Sequence, residues 1–294
     1  MRADYPTSFD DIQPWATAHQ MPESEARIRF AQYGILRAIS LSRELSRLLV
    51  FKGGNALDFI WQPNRSTSDL DFSIDMTQAA SSIDVETLRL FFDGALTAAG
   101  RVLNIAYRTQ RFKRNPPGER HTFSTFQAKV AYALQDQPRL LTMIRSSQSV
   151  SPIIDLDISL NEVICASEDV SVSGTHPLRT CTIEDILAEK LRALLQQTIR
   201  NRNRAQDLLD IAVCLQESPI GVIDPERVGR FLLQKAAARD VPVSVAAFRD
   251  ANLISRTRQD YDSLRATART FFIPFNDALE QLHTFVETLS IPAR

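Results

Sequence analysis

Two short segments of this 294-residue chain repeat one pattern, Asp69-Leu70-Asp71-Phe72-Ser73 and Asp155-Leu156-Asp157-Ile158-Ser159. Strict polar/apolar alternation is the period of a β-strand, whose successive side chains leave on opposite faces. Each segment therefore predicts a strand with one apolar face (Leu70, Phe72 and Ile74; Ile154, Leu156 and Ile158) and one face of two carboxylates and a hydroxyl. A helix would scatter these residues around its circumference. Carboxylates about 7 Å apart on one strand face can converge on a divalent cation, and hard oxygen ligands suit Mg2+. A single D-x-D is more often a solvated strand face or a turn with an Asx cap. If the two strands are neighbours, however, three or four carboxylates meet, and a bound cation relieves their repulsion.

Ahead of the first strand stands Gly53-Gly54-Asn55, with thirteen residues between Asn55 and Asp69. A glycine pair opening a short helix over 55–61 lets backbone N–H groups approach an anion, and the helix start favours phosphate. Around this centre, residues 1–23 read as an irregular arm. An apolar 3.6-residue period runs from Ser24 to Val50, and a helix over 84–99 is closed by Gly100. Segments 101–112 and 121–134 are β-compatible about a loop at 115–118, and 163–172 adds a further strand. After 174–177 the texture becomes helical, at 183–197, 205–216 and beyond. These patterns predict an α+β domain over 1–177 followed by a helical domain over 178–294.

Composition narrows the function classes. With 34 Lys+Arg against 35 Asp+Glu, the chain is not a uniformly basic nucleic-acid binder. Basic residues nevertheless cluster: six against one acid in 101–120 (Arg101, Arg108, Arg111, Lys113, Arg114, Arg120) and five against none in 190–204. Arg108, Arg111, Lys113, Arg114, Arg200, Arg202 and Arg204 are therefore candidate RNA contacts, with Tyr107 and Phe112 as stacking surfaces. The three cysteines form no CxxC pair, and the four histidines have no close ligand spacing. No apolar run reaches membrane-spanning length and the N-terminus lacks a leader's apolar core, so a cytoplasmic protein without a membrane partner is expected.

In the second half, Ile183, Leu187, Lys190 and Leu194 form one helical stripe. Lys190 is thereby predicted to lie on the inward face, where it snorkels to an edge, pairs with a carboxylate or reaches an anion, and Arg192 to point outward. Asp207 falls at the edge of the next helix's apolar face.

The segments F-K-G-G-N-A-L (51–57) and R-S-T-S-D-L-D-F (65–72), then A-E-K-L-R-A-L (188–194) and R-A-Q-D-L-L-D (204–210), resemble the AbiEii/AbiGii-type nucleotidyltransferase toxins of the DNA polymerase β-like superfamily. The resemblance covers about residues 30–215. It implies a nucleotidyltransferase-like mixed sheet with flanking helices, and a helical domain closing an active-site cleft. It also implies transfer of NMP from an NTP to an acceptor hydroxyl, with Mg2+ as cofactor and Mn2+ as an alternative. Asp69, Asp71 and Asp157 become metal ligands and catalytic residues, with Asp155 the alternative third carboxylate. Gly53, Gly54, Asn55, Arg65, Ser66, Ser68 and Lys190 become nucleotide contacts, with Lys190 and Asp207 also catalytic. The implied partners are RNA, notably a tRNA 3′ end, and an antitoxin, in a toxin–antitoxin or phage-defence system. Asn55, Gln206 and Leu209 depart from the family's hydroxyl, basic and aromatic residues. The competing chemistries are kinase-like phosphotransfer, nucleotidylation of a protein, and metal-dependent nuclease activity.

Overall fold

Both alternating segments are strands, and they lie side by side in one mixed sheet. The computed structural model describes residues 5–65, 67–78, 84–117, 124–172 and 176–294. They divide into two units, one of residues 1–60, 67–162 and 168–180, the other of 61–66, 163–167 and 181–294.

The first unit begins with α1 (Ile12–Ala18), α2 (Glu23–Leu41) and α3 (Arg43–Leu48). Then come β1 (Leu49–Lys52), α4 (Gly53–Ala56), β2 (Asp69–Ile74) and α5 (Val85–Leu103). It continues through β3 (Ile105–Asn115), β4 (Thr125–Leu134), α6 (Pro138–Arg145), β5 (Ile153–Ser159), β6 (Ser167–Ser171) and β7 (Pro177–Cys181). The sheet order is β3-β4-β5-β2-β1-β7-β6. β2 runs parallel to β5 and β1 parallel to β7, while β1–β2, β3–β4 and β4–β5 are antiparallel. The apolar face expected from the alternation is fully buried at Leu70, Phe72, Ile154 and Ile158. Phe126 and Val130 of β4 join this face, as does Phe51, whose ring lies 5.2 Å from that of Phe72.

Several boundaries differ from the sequence reading. The arm contains α1. The expected helix from Ser24 to Val50 is two helices and a strand, because Ser42 caps α3 by accepting a hydrogen bond from the Leu45 amide. β1 is buried throughout its apolar stretch, so it continues the hydrophobic run without alternating. α5 passes through Gly100 and ends at left-handed Asn104. A Cβ on Gly100 would stand 2.4 Å from the Ile105 carbonyl oxygen, so that glycine serves close packing and not a cap. α6 and β7 were not anticipated, and β7 extends the sheet past residue 177. Tyr107 and Phe112 are not open stacking surfaces: the Tyr107 hydroxyl donates to the Ala31 carbonyl at 2.7 Å, and Phe112 packs between Phe92 and Phe126.

The second unit contains α7 (Ile183–Arg200), α8 (Ala205–Glu217), α9 (Pro225–Ala237), α10 (Ala251–Arg258) and α11 (Phe275–Glu287). Thr182 caps α7 through the Asp185 amide. α8, α9 and α10 all pack on α7, which buries it on most of its circumference. That surrounding corrects one expectation. Arg192 does not point outward; it is buried, bonded to Glu189 and Gln196. Among the described residues no helix is long and apolar enough to cross a membrane.

Candidate active site

Strand register builds the site. One rung across the sheet reads Lys52, Asp71, Asp157, Gln127 and Lys113 on β1, β2, β5, β4 and β3. The next reads Asp69, Asp155, Lys129 and Arg111. All lie on the face opposite the apolar core. Asp69, Asp71 and Asp157 each offer a carboxylate oxygen, and these atoms lie within 4.8 Å of one another, all half-buried. Asp155 does not join them; it is exposed and accepts a hydrogen bond from Lys129 at 2.6 Å. Asp157 is thus the geometric third carboxylate.

The β1–α4 turn runs against this cluster. Gly53 has φ +75°, and a Cβ there would stand 2.3 Å from Asp71 Oδ2. Only glycine fits, both for its left-handed backbone and for its approach to the carboxylate. Beside it, the Lys52 ammonium bonds Glu162 and, at 3.0 Å, Ser159 Oγ. Glu162 also accepts from Ser73 Oγ at 3.2 Å.

Burial pushes the Asp71 carboxyl up to about 7; Lys52 opposes this, and Asp69, Asp157 and Glu162 reinforce it. An unfolded aspartate titrates near pH 3.9, so the metal-free folded state binds this proton more tightly than the unfolded chain. Its stabilising contribution is therefore present below about pH 4 and is lost as pH rises through about 7. Metal-free protein is expected to lose thermal stability between pH 5 and pH 8, by roughly 2–4 kcal/mol from this group. Asp71→Asn should flatten that segment in a calorimetric pH series, and an unchanged slope would show that the group is not responsible.

A buried network holds the turn and the loop before β2. Asn55 is fully buried; its amide nitrogen donates to the carbonyls of Thr67 (2.9 Å) and Asp69, and its Oδ1 accepts from Arg29 at 2.7 Å. Arg29 pairs with Asp58, bonds Gln32 and stacks 3.7 Å above the Phe59 ring. Gln32 donates to the Thr67 carbonyl at 2.8 Å. Asn55 therefore positions backbone, and its amide is not turned to an anion. Sequence reasoning missed Arg29, Gln32 and Asp58. The available signal was Arg29 and Gln32, one turn apart in an otherwise apolar stretch of α2. Ser68 lines the cleft beside Asp69, while Ser66 lies outside the described residues.

In the second unit, Lys190 donates to Asp207 Oδ1 at 3.0 Å and Asp210 Oδ2 at 2.7 Å. Arg65 donates to both oxygens of Asp210, at 3.2 and 3.0 Å. Burial works against the Lys190 charge, but Asp210 and Asp207 outweigh it and hold the ammonium well above its usual range. Burial likewise opposes the Asp210 charge, and Lys190 and Arg65 pull that carboxyl below its usual range. Lys190 thus points inward, as its helical stripe predicts, into a four-member ionic cluster. Asp210 was the overlooked member, one turn from Asp207 on the same helix. Arg204 stands 3.6 Å from Asp207 Oδ2, and Arg200 and Arg202 are exposed.

The other basic stretch divides. Arg111 and Lys113 line a cleft of about 330 Å³ with Asp69, Gln127, Lys129 and Asp157. Arg108 instead donates to the Gln148 carbonyl at 2.7 Å, and Arg114 bonds Ser124 on the opposite face.

The chain that carries this carboxylate triad and glycine turn also matches a known family over most of its length. The model of the nucleotidyl transferase AbiEii toxin of type IV toxin–antitoxin systems matches residues 34–281. The chain belongs to the AbiEii family. It is accordingly a nucleotidyltransferase toxin, with an NTP substrate and an antitoxin partner of the type IV kind. The fold agrees. A Helicobacter pylori protein assigned as a nucleotidyltransferase superposes with TM-score 0.53 at 15% identity, over 91% of this chain and 95% of its own. JHP933 from the same organism gives 0.52 at 15%, over 90% and 91%. No curated protein matches the sequence. In this AbiEii protein, the family match spans both the glycine turn and the carboxylate strands.

Proposed function

We propose that the protein uses Mg2+, with Mn2+ as the alternative ion, to transfer a nucleotidyl group from an NTP to the 3′-terminal hydroxyl of an RNA. A tRNA is the leading acceptor, pyrophosphate is released, and the act serves toxicity in the cytoplasm, in a phage-defence setting. The observation that carries this reading is the Asp69–Asp71–Asp157 cluster against Gly53. The donor set fits the ion: three hard carboxylate oxygens within 4.8 Å, with an Asp71 proton affinity raised by crowding and burial that a cation would relieve.

Asp69, Asp71 and Asp157 would hold the metal, which when bound neutralises phosphate charge and acidifies the acceptor hydroxyl. The backbone amides of the Gly53–Gly54 turn bind donor phosphate oxygens, and Asn55 keeps that turn in place through its bonds to residues 67 and 69. Asp157 lies on β5, away from the turn, and takes the proton from the acceptor hydroxyl at a carboxylate oxygen. Positioning and fixed charge supply most of the rate enhancement.

Incubation with each α-labelled NTP in turn, total tRNA and Mg2+ should place label on RNA for at least one nucleotide, and EDTA should abolish it. Transfer of label only from γ-labelled NTP would mean kinase chemistry. RNA shortened without any NTP would mean a nuclease.

A further inference from the structure

On the carboxylate face, cations stand in register with the acids. Lys129 of β4 is the register partner of Asp155, and Arg111 of β3 that of Lys129. Lys113 ends the rung that contains Asp157. A β-bulge between Thr109 and Arg111 makes this possible. Before it, Tyr107 faces the helices, and after it Phe112 does, so the extra residue turns Arg111 and Lys113 toward the acids. Lys129 is tied to Asp155, whereas Arg111 and Lys113 have no acidic partner among the described residues. Two cations without an ion-pair partner among those residues, Arg111 and Lys113, on the rim of the carboxylate cleft offer contacts to an anion that reaches the acids.

Sheet order decides which anion. The Gly53–Gly54 turn follows β1, on one side of β2, while the three cations lie beyond β5 on the other. β1 and β3 are four strand spacings apart, about 19 Å, farther than one triphosphate reaches. Asp71 and Asp157 stand between. Donor phosphates and cation cluster therefore flank the carboxylates from opposite sides, the arrangement that transfer to a second polyanion needs.

We infer that β3 and β4 form the acceptor side: a single-stranded RNA end lies across Lys129, Arg111 and Lys113, with its terminal hydroxyl at Asp157. This rests on the nucleotidyltransferase reading. Guanidinium and ammonium groups suit phosphodiester oxygens. The cleft of about 330 Å³ lined by Arg111, Lys113 and Lys129 also contains Asp69 and Asp157, so an acceptor end held there is next to the carboxylates.

The test uses the full chain, a short 5′-fluorescent single-stranded RNA followed by anisotropy over a salt series, and a fluorescent NTP analogue with Mg2+ measured separately. The double variant Arg111→Glu/Lys113→Glu should bind the RNA at least about tenfold more weakly at low salt, with its log–log salt slope shallower by about 1.4. Its NTP binding should stay within about twofold of the unmodified protein, since the turn is remote. Arg101→Glu on α5, an equal change per residue in the same basic stretch, should leave RNA binding within about twofold. If the double variant misfolds, Lys129→Ala serves instead, with a slope change of about 0.7. An unaltered salt slope, or NTP binding lost together with RNA binding, would overturn the inference. So would an unmodified protein that binds NTP but no RNA. RNA binding that depends on these residues, in a protein that binds no NTP, would support the strand path and sink the nucleotidyltransferase reading.

Discussion

Asp71→Asn is expected to lower nucleotidyl transfer by about 10²–10³-fold or more, with the protein fully folded. Asn keeps the size and sheet position of Asp71 but removes a charge from a cluster whose oxygens lie within 4.8 Å. Burial and three neighbouring carboxylates already disfavour that charge, so without metal the variant should melt no lower than the unmodified protein. At pH 8 it should melt higher, by roughly 3–6 °C. Asp69→Asn should behave alike in activity. Asp155→Asn is the internal comparison: it lies on the same face one residue pair away but is committed to Lys129, and it should retain activity within a few-fold. Equal losses for Asp155 and Asp71 would reject the assignment of the triad.

Lys190→Ala should be the most destabilising of these changes, by about 3–5 kcal/mol in urea unfolding. The ammonium is buried between Asp207 and Asp210, and its removal leaves Asp207 without its close cation, with Arg204 only at 3.6 Å. Arg65 still covers Asp210, so Lys190→Met combined with Asp207→Asn should recover part of the loss. Arg192→Ala removes a buried stem and its bonds to half-exposed Glu189 and to Gln196, but leaves no buried carboxylate without a cation, and should cost about 1–2 kcal/mol. The ranking is the one the helical stripe suggests, but its cause is ionic satisfaction inside the second unit. Similar unfolding midpoints for Lys190→Ala and Arg192→Ala would contradict it.

The elements that carry the site were legible because alternation is a local signal. Asp69–Ser73 and Asp155–Ser159 announce strands and sort their faces without any knowledge of partners. That they adjoin in parallel register, Asp71 beside Asp157, is a non-local fact that the pattern makes plausible but does not dictate. β1 stayed hidden because a buried strand after an apolar helix presents one unbroken hydrophobic run. The sorting of the basic stretch was also out of reach. One bulge residue changes which arginines share the carboxylate face, and nothing in 105–115 marks its place. Arg192 was misplaced because a stripe computed for one helix face cannot know that three other helices surround it. Gly34 shows the same limit. It leaves room for the Tyr107 hydroxyl, 2.0 Å from where a Cβ would stand, yet in the sequence it is an unremarked glycine inside a helix.

The central claim is that Asp69, Asp71 and Asp157 form the divalent-cation site on which the donor nucleotide is bound. Anomalous diffraction from crystals soaked with Mn2+ and a non-hydrolysable NTP analogue tests it directly. The account predicts an anomalous peak ligated by those three carboxylates, with analogue phosphate density at the Gly53–Gly54 turn. A peak held by Asp155, or by Glu162 apart from the triad, or analogue density without any metal at these residues, would contradict it.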